Sequence, residues 1–355
     1  MNWTALFTAM MPEHLLLAGI VVLVALEIIS ERSRGALVVA TASVSAAAAA
    51  AFWLYSGGID ASPFAGQFSI DPQWSLAKAL VLSLAVPILL MSRDEFRDGP
   101  FYPLLLSSLY GFCLLLSSDS FLTLFLGLEL LALPVYTLVL LAFRRPESAE
   151  AALKYLVLGG AASATFLMGV SLLYGGSGSL GIAAFATALE ATDAMAIAAV
   201  VMILVSFFLK AAIVPFHAWA PDAYEGASVP VTAYMATIVK AGALLAVLRL
   251  VGDARVSGYV AGLVAFLPLV SIVWGNLTAM RQPSFRRMIA YSSIAHAGYL
   301  FYAFLGEGPG RFQAIVFYLV AYGVMNLLAF ASLPQDADDA ARDRLETLRG
   351  LYARR

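Results

Sequence analysis

The chain has 355 residues, 61% of them hydrophobic and only 12% charged, with a net charge of −2 and a mean hydropathy of +0.86. A soluble domain carries about 25% charged residues, so this chain could not cover a soluble surface, and its near-neutral balance offers no basic face to nucleic acid. At about 20 apolar residues per crossing there is room for roughly ten to twelve spans, which makes the expected fold class an all-α polytopic membrane protein.

Apolar runs separated by charged or Gly/Pro-rich segments predict eleven transmembrane helices, at about 14–30, 36–56, 74–92, 100–118, 120–142, 151–174, 194–214, 228–250, 256–280, 284–305 and 310–333. No Lys or Arg precedes the first run, the wrong flank for a cleaved signal peptide, so it reads as a retained helix. The stretch 175–193 opens GGSGSLG and reads as a longer loop with a short surface helix. After Leu333 the polar segment PQDADDAARDRLETLRGLYARR cannot span. No separate soluble domain is expected.

Arginine placement predicts the orientation. With the N-terminus outside, fourteen arginines fall in inside loops and the tail, whereas Arg249, Arg255 and Arg311 fall outside; the positive-inside rule therefore predicts a periplasmic N-terminus and a cytoplasmic tail. All seventeen arginines lie in loops or at helix ends. The four lysines, Lys78, Lys154, Lys210 and Lys240, all lie inside predicted spans. Arginine holds its proton, whereas a desolvated lysine can release one, so an intramembrane proton carrier would be lysine.

Glu129 is the sharpest position. It lies near the middle of FLTLFLGLELLALPVY, where a carboxylate costs several kcal/mol unless paired, hydrated or protonated; the competing reading is a packing carboxyl bonded to a Ser, Thr or Tyr. Pro134, five residues on, is expected to loosen this helix. Lys240 sits too deep in SVPVTAYMATIVKAGALLAVLRL to snorkel. Lys210 closes an apolar run just before Pro215 breaks it, and a broken helix at membrane depth must be buried in protein or line a wet cavity. Lys154 stands in the first turn of its predicted span, near Gly159, Gly160, Ala161 and Ser163, small residues that let another helix approach. Lys78 reads as a snorkelling anchor, and so does Glu27. His296, beside Ser292, Ser293 and Tyr299, is a candidate relay; His217, just after Pro215, is a weaker one. Asp222 and Glu225 read as solvated loop residues. The single Cys113 cannot form an internal disulfide, and with no Cys/His cluster, Walker loop or dinucleotide fingerprint in the sequence neither a metal centre nor a bound nucleotide is indicated. Buried acids and lysines on several helices couple their titrations, which charge-relay ion translocation requires.

Four segments, LFLGLELLALPVY, RRPESAEAALKYLVLGGAASATFLMG, KAAIVPFHAWAPDAYEGASVPVTA and RRMIAYSSIAHAGYLFYAF, resemble in order the subunit N family of the bacterial proton-pumping NADH–quinone oxidoreductase, respiratory complex I. The likeness runs from about residue 66 to the end. WAPDAYEGA favours subunit N over the related L and M subunits, which resemble subunits of multi-component sodium/proton antiporters. The resemblance implies an antiporter-like fold of two inverted five-helix repeats, each with a broken helix. It assigns residues 1–98 to three N-terminal helices, 99–250 to a first repeat, 251–333 to an incomplete second repeat and 334–355 to a polar cytoplasmic segment. It implies a proton route through Glu129, Lys210 and Lys240, with Lys154 matching a further family lysine. It also implies a bacterial inner-membrane location, membrane partners such as antiporter-like subunit M and the small subunits J and K, and NADH, FMN, iron–sulfur clusters and quinone confined to other subunits. Family members usually continue for about three more helices, so the chain is expected to be a fragment; ASVPV replaces the more usual APTPV. The alternative is a subunit of a cation/proton antiporter, and a third reading is a purely structural membrane subunit.

Overall fold

Caps and turns decide where the long apolar chain breaks. The computed structural model describes residues 3–29, 35–96, 99–141, 146–256, 258–306, 308, 310–333, 344–348 and 350. A short α1 (Trp3–Ala9) leads into α2 (Met11–Ile29) and α3 (Ala36–Ser56). A two-stranded antiparallel hairpin follows, β1 (Ala61–Phe64) and β2 (Phe68–Ile70), turning at Gly66, whose φ of 71° suits a residue without Cβ. The Asp71 carboxylate accepts the Trp74 amide at 3.0 Å and, with Pro72 in the first turn, starts α4 (Pro72–Met91).

α5 (Phe101–Leu116) and α6 (Phe121–Leu140) then pack side by side, with Ser120 capping α6 through the Thr123 amide. α7 (Pro146–Ser177) has 32 residues, about 48 Å at 1.5 Å per residue, more than a bilayer core needs. After α8 (Ala183–Leu189) come α9 (Ala194–Ala211), α10 (Trp219–Gly226) and α11 (Val229–Tyr234). A π-helical turn, Met235–Val239, connects α11 to α12 (Lys240–Val251). α13 (Gly258–Ala279) and α14 (Phe285–Tyr302) form an antiparallel pair, and α15 (Arg311–Ala331) completes the bundle.

Among the described residues, ten helical segments are long and apolar enough to cross a membrane, and α5, at 16 residues, is a shorter apolar eleventh. The expected all-α membrane architecture is therefore observed, with the hairpin as its only sheet among those residues. Val229–Val251 is almost wholly buried because it is apolar on every side and is wrapped by other helices. α2 and α13 are peripheral, showing Val21, Ile28, Phe266 and Trp274 to the outside. The predicted boundaries shift in three places that matter. The first span starts at Met11, which brings Glu13 into it. The sixth starts at Pro146, so Lys154 lies two turns in. The eighth is interrupted by the π turn. The short helix expected within 175–193 is α8, whereas the tail beyond Leu333 lies mostly outside the described residues.

One end of the bundle is knitted by the hairpin. Ser69 donates its amide to Ser117 O at 2.9 Å, and Asp119 donates to Gln67 O at 3.0 Å. Arg249, in the last turn of α12, reaches in to Asp119 at 2.9 Å and Ser69 Oγ at 2.6 Å, with Asp71 at 3.5 Å, and lies over the Trp74 ring.

Candidate functional site

α9 is capped by Asp193 and stops at Ala212, whose left-handed φ of 61° ends the helix; the Val214–Pro215 peptide is cis, and the chain resumes as α10. Breaking a helix frees backbone groups, which burial does not tolerate unpaired. Here Trp219 Nε1 donates to Leu209 O at 2.8 Å, Ile213 N to Phe208 O at 2.8 Å, and Val214 N to Ser271 Oγ at 2.9 Å. Lys210 stands in the last turn of α9, where the negative end of the helix dipole favours a cation.

Lys210 Nζ lies 3.3 Å from Glu129 Oε1 and 3.3 Å from Ser163 Oγ, and Ser163 donates a short hydrogen bond to the same Glu129 oxygen. Both charged side chains are largely buried, 11% exposed for Lys210 and 20% for Glu129. The triad thus joins α6, α7 and α9. The close approach of α7 to α6 depends on Gly159, where a Cβ would collide with the Tyr136 hydroxyl. Pro134 does not end its helix, and α6 runs on to Leu140. Nearby, Leu131 O accepts Ser108 Oγ at 2.6 Å, and Ser108 in turn accepts the Tyr234 hydroxyl at 2.8 Å. A narrow cavity of about 20 Å³ separates Lys210 from Val239 at the end of the π turn and Ala243 in the first turn of α12, walled by Tyr136, Tyr155 and Trp219. That is room for one water-sized molecule.

Lys240 is 5% exposed and forms no ion pair among the described residues. Its ammonium is held on α14 by Ser293, donating to the backbone oxygen at 2.7 Å and to the hydroxyl. The Tyr224 hydroxyl of α10 stands 3.3 Å from the same Ser293 hydroxyl. Three residues along α14, His296 Nδ1 pairs with the Tyr318 hydroxyl at 2.7 Å. Glu129 and Lys210 therefore form one cluster, and Lys240 and His296 a second, each on different helices. His217 joins neither; its ring lies beside Trp274 and Tyr291.

Lys154 is 43% exposed and pairs with Glu150 at 2.7 Å and Asp222 at 2.6 Å, in a network at the end of the bundle. Two expectations need correction. Asp222 and Glu225 are on α10, not in a loop, and both bind Arg287, at 2.8 and 3.1 Å. Burial works to raise the Asp222 carboxyl, but hydrogen bonds from Lys154 and Arg287 outweigh it and hold its pKa below the ordinary value. A cavity of about 730 Å³ opens there, lined by Glu147, Glu150, Lys154, Asp222, Glu225 and Arg286 among others. Lys78 is no snorkelling anchor either: at 2% exposure it contacts Glu13, itself 1% exposed, at 2.5 Å and Ser117 Oγ at 2.6 Å. Glu27, in contrast, is partly exposed near the end of α2, where an anchor would lie.

Ser163 and Ser293 carry the geometry of both clusters, yet as serines in helices they have no signature of their own. The available signal was position: each shares a segment with a candidate ionisable residue. Glu13 was missed because a start at residue 14 leaves it outside the first span.

Residues 118–355 match the transmembrane family described as NADH:quinone oxidoreductase/Mrp antiporter. The NADH-quinone oxidoreductase subunit N of Pelobacter propionicus is 36% identical over 354 residues, 99% of this chain and 76% of that protein. The subunit N of Methylovorus glucosotrophus is 34% identical, over 98% of this chain and 74% of that one. The chain belongs to the NADH-quinone oxidoreductase subunit N family. Its likeness to that family extends to three dimensions. A chain in the structure of respiratory complex I from Thermus thermophilus with bound aureothin matches with a TM-score of 0.83 at 35% identity, over 97% of this chain and 74% of that one. A chain of the Mrp complex from Dietzia sp. DQ12-45-1b shares the fold, with a TM-score of 0.79 at 24% identity. This subunit N family member thus spans about three quarters of the length of the Pelobacter and Methylovorus proteins.

Proposed function

We propose that this chain is a proton-translocating membrane subunit of NADH-quinone oxidoreductase that has no redox centre of its own. Its relay runs through Glu129, Lys210, Lys240 and His296, with Lys154 and, more weakly, His217 at its margins. The observation that carries this reading is the buried Glu129–Ser163–Lys210 triad beside the break in α9. Ionisable groups inside a membrane protein are expensive and are kept where charge must move. The Glu129 carboxylate holds the Lys210 charge; changing either protonation state alters the other's proton affinity. Lys240, anchored by hydroxyl and carbonyl instead of a carboxylate, would receive the proton and pass it toward α14.

The driving force would come from quinone chemistry in other subunits, transmitted through membrane neighbours such as antiporter-like subunit M and small subunits J and K. NADH, FMN, iron–sulfur clusters and quinone would all bind elsewhere. The arginine distribution supports a multi-pass chain in the bacterial inner membrane with its N-terminus periplasmic. The test is Lys240→Ala in the assembled complex, reconstituted in sealed vesicles. Proton transport per NADH oxidised should fall while the complex stays intact; unchanged stoichiometry overturns the reading. Co-purification without flavin or NADH oxidation would favour a cation/proton antiporter subunit instead.

A further inference from the structure

Lys240 makes two bonds to one residue, and the two differ in kind. The Ser293 backbone oxygen holds the ammonium at 2.7 Å, whereas the Ser293 hydroxyl also accepts a hydrogen bond from it. Because the hydroxyl oxygen is accepting, its own hydrogen must point elsewhere. On one side is the Tyr224 hydroxyl, 3.3 Å away. On the other is Tyr322 of α15, whose hydroxyl is buried and makes no hydrogen bond, although Ser293 and Asn326 are its polar neighbours. A buried hydroxyl left without a partner is unusual and calls for an explanation. The Tyr322 ring also packs on His296, with centroids 4.7 Å apart. Ser293 is therefore flanked by one engaged hydroxyl and one unengaged hydroxyl, and the ring that bears the unengaged one packs on His296.

Building on the proton-translocation reading above, we propose that Ser293 relays the proton from Lys240 through Tyr322 to His296. In the step, an Nζ–H bond of Lys240 breaks as an Oγ–H bond forms on Ser293. The original Ser293 hydroxyl proton passes to the Tyr322 oxygen, and the phenolic proton of Tyr322 passes to the His296 ring. Lys240 ends as a neutral amine and His296 as an imidazolium; both hydroxyls end as they began. Rotation of the Ser293 hydroxyl between Tyr224 and Tyr322 closes or opens the path. The carbonyl bond keeps Lys240 in place in either setting, so removing the hydroxyl leaves the lysine anchored.

The experiment uses the whole complex in sealed vesicles and reads proton transport per NADH oxidised with a pH-sensitive dye. Four complexes, Ser293→Ala, Ser293→Thr, Tyr322→Phe and Lys240→Ala, are compared with the unaltered one. Ser293→Ala and Tyr322→Phe should each lower the ratio to that of Lys240→Ala, and Ser293→Thr, which restores a hydroxyl, should bring it back. Full pumping by Ser293→Ala and Tyr322→Phe beside a deficient Lys240→Ala overturns the relay and leaves the broader reading standing. Full pumping by Lys240→Ala overturns both. Tyr322→Phe leaves both Lys240 bonds untouched and decides the matter should the Ser293→Ala complex fail to assemble.

Discussion

Glu129 and Lys210 meet at 3.3 Å with Ser163 beside both, an ion pair drawn from helices 81 residues apart in sequence. Removing one member of a buried pair strands the other charge, at about 3–5 kcal/mol. Glu129→Gln is therefore expected to lower proton transport and, more mildly, the thermal stability of the subunit in its complex. Vesicle pumping measured together with a melting curve checks both; a variant that loses only stability would make Glu129 a packing carboxyl.

Arginine in place of Lys210 keeps the positive charge beside Glu129 but does not give up its proton. Lys210→Arg should preserve assembly and abolish proton transfer through the triad, seen as intact complex with reduced pumping. Equal pumping by the arginine variant would remove Lys210 from the proton path.

Glu13 and Lys78 form a second buried pair, far tighter in exposure than the first. Each single neutral substitution, Glu13→Gln or Lys78→Met, should destabilise by about 3–5 kcal/mol, whereas the double variant should recover most of that loss, because two uncharged side chains strand no ion. A double-mutant cycle on thermal stability in detergent or lipid measures the coupling. Additive losses would show that the two residues do not act as a pair.

The Asp222 carboxyl holds α10 to Lys154 of α7 and Arg287 of α14. Its folded pKa is depressed, so the stabilisation is complete above the ordinary carboxylate value, about pH 4, and is lost as pH falls through the lower folded value. Acidification, not alkalisation, should weaken this contact. Asp222→Asn should remove that part of the acid sensitivity in a stability-against-pH profile.

Gly111 lets α5 lie against the α6 backbone, since a Cβ there would press into the peptide joining Leu130 and Leu131. Neither backbone can yield, so Gly111→Ala should cost about 1–3 kcal/mol through overpacking. A lowered melting temperature is the expected readout.

The long spans are legible in the sequence because a bilayer demands continuous apolar length, and composition alone reports it. Glu129, Lys210 and Lys240 are legible because charge inside such runs is rare. The partners are not. Ser163 and Ser293 gain their meaning only when α7 and α14 are set against α6 and α12. Lys78 reads as an anchor until Glu13, 65 residues earlier, closes on it. The π turn before Lys240 leaves no trace in hydropathy, since every residue of MATIV is apolar or small. The hairpin 61–70 is likewise silent, being too short to show an alternation.

Arg249 makes α12 a lever with one end pinned. Its bonds to Asp119 and Ser69 moor the helix to the hairpin, and α4, which follows that hairpin, is itself tethered through Lys78 and Glu13 to α2. A π turn relaxing to α would rotate its two flanks against each other by about 100° per residue gained or lost. With the Arg249 end fixed, that rotation is delivered upstream, to α11 and Tyr234, and Lys240 stays on the stationary arm. The hairpin, with α4 and α2 behind it, is thus the post to which the helix bearing Lys240 is tied.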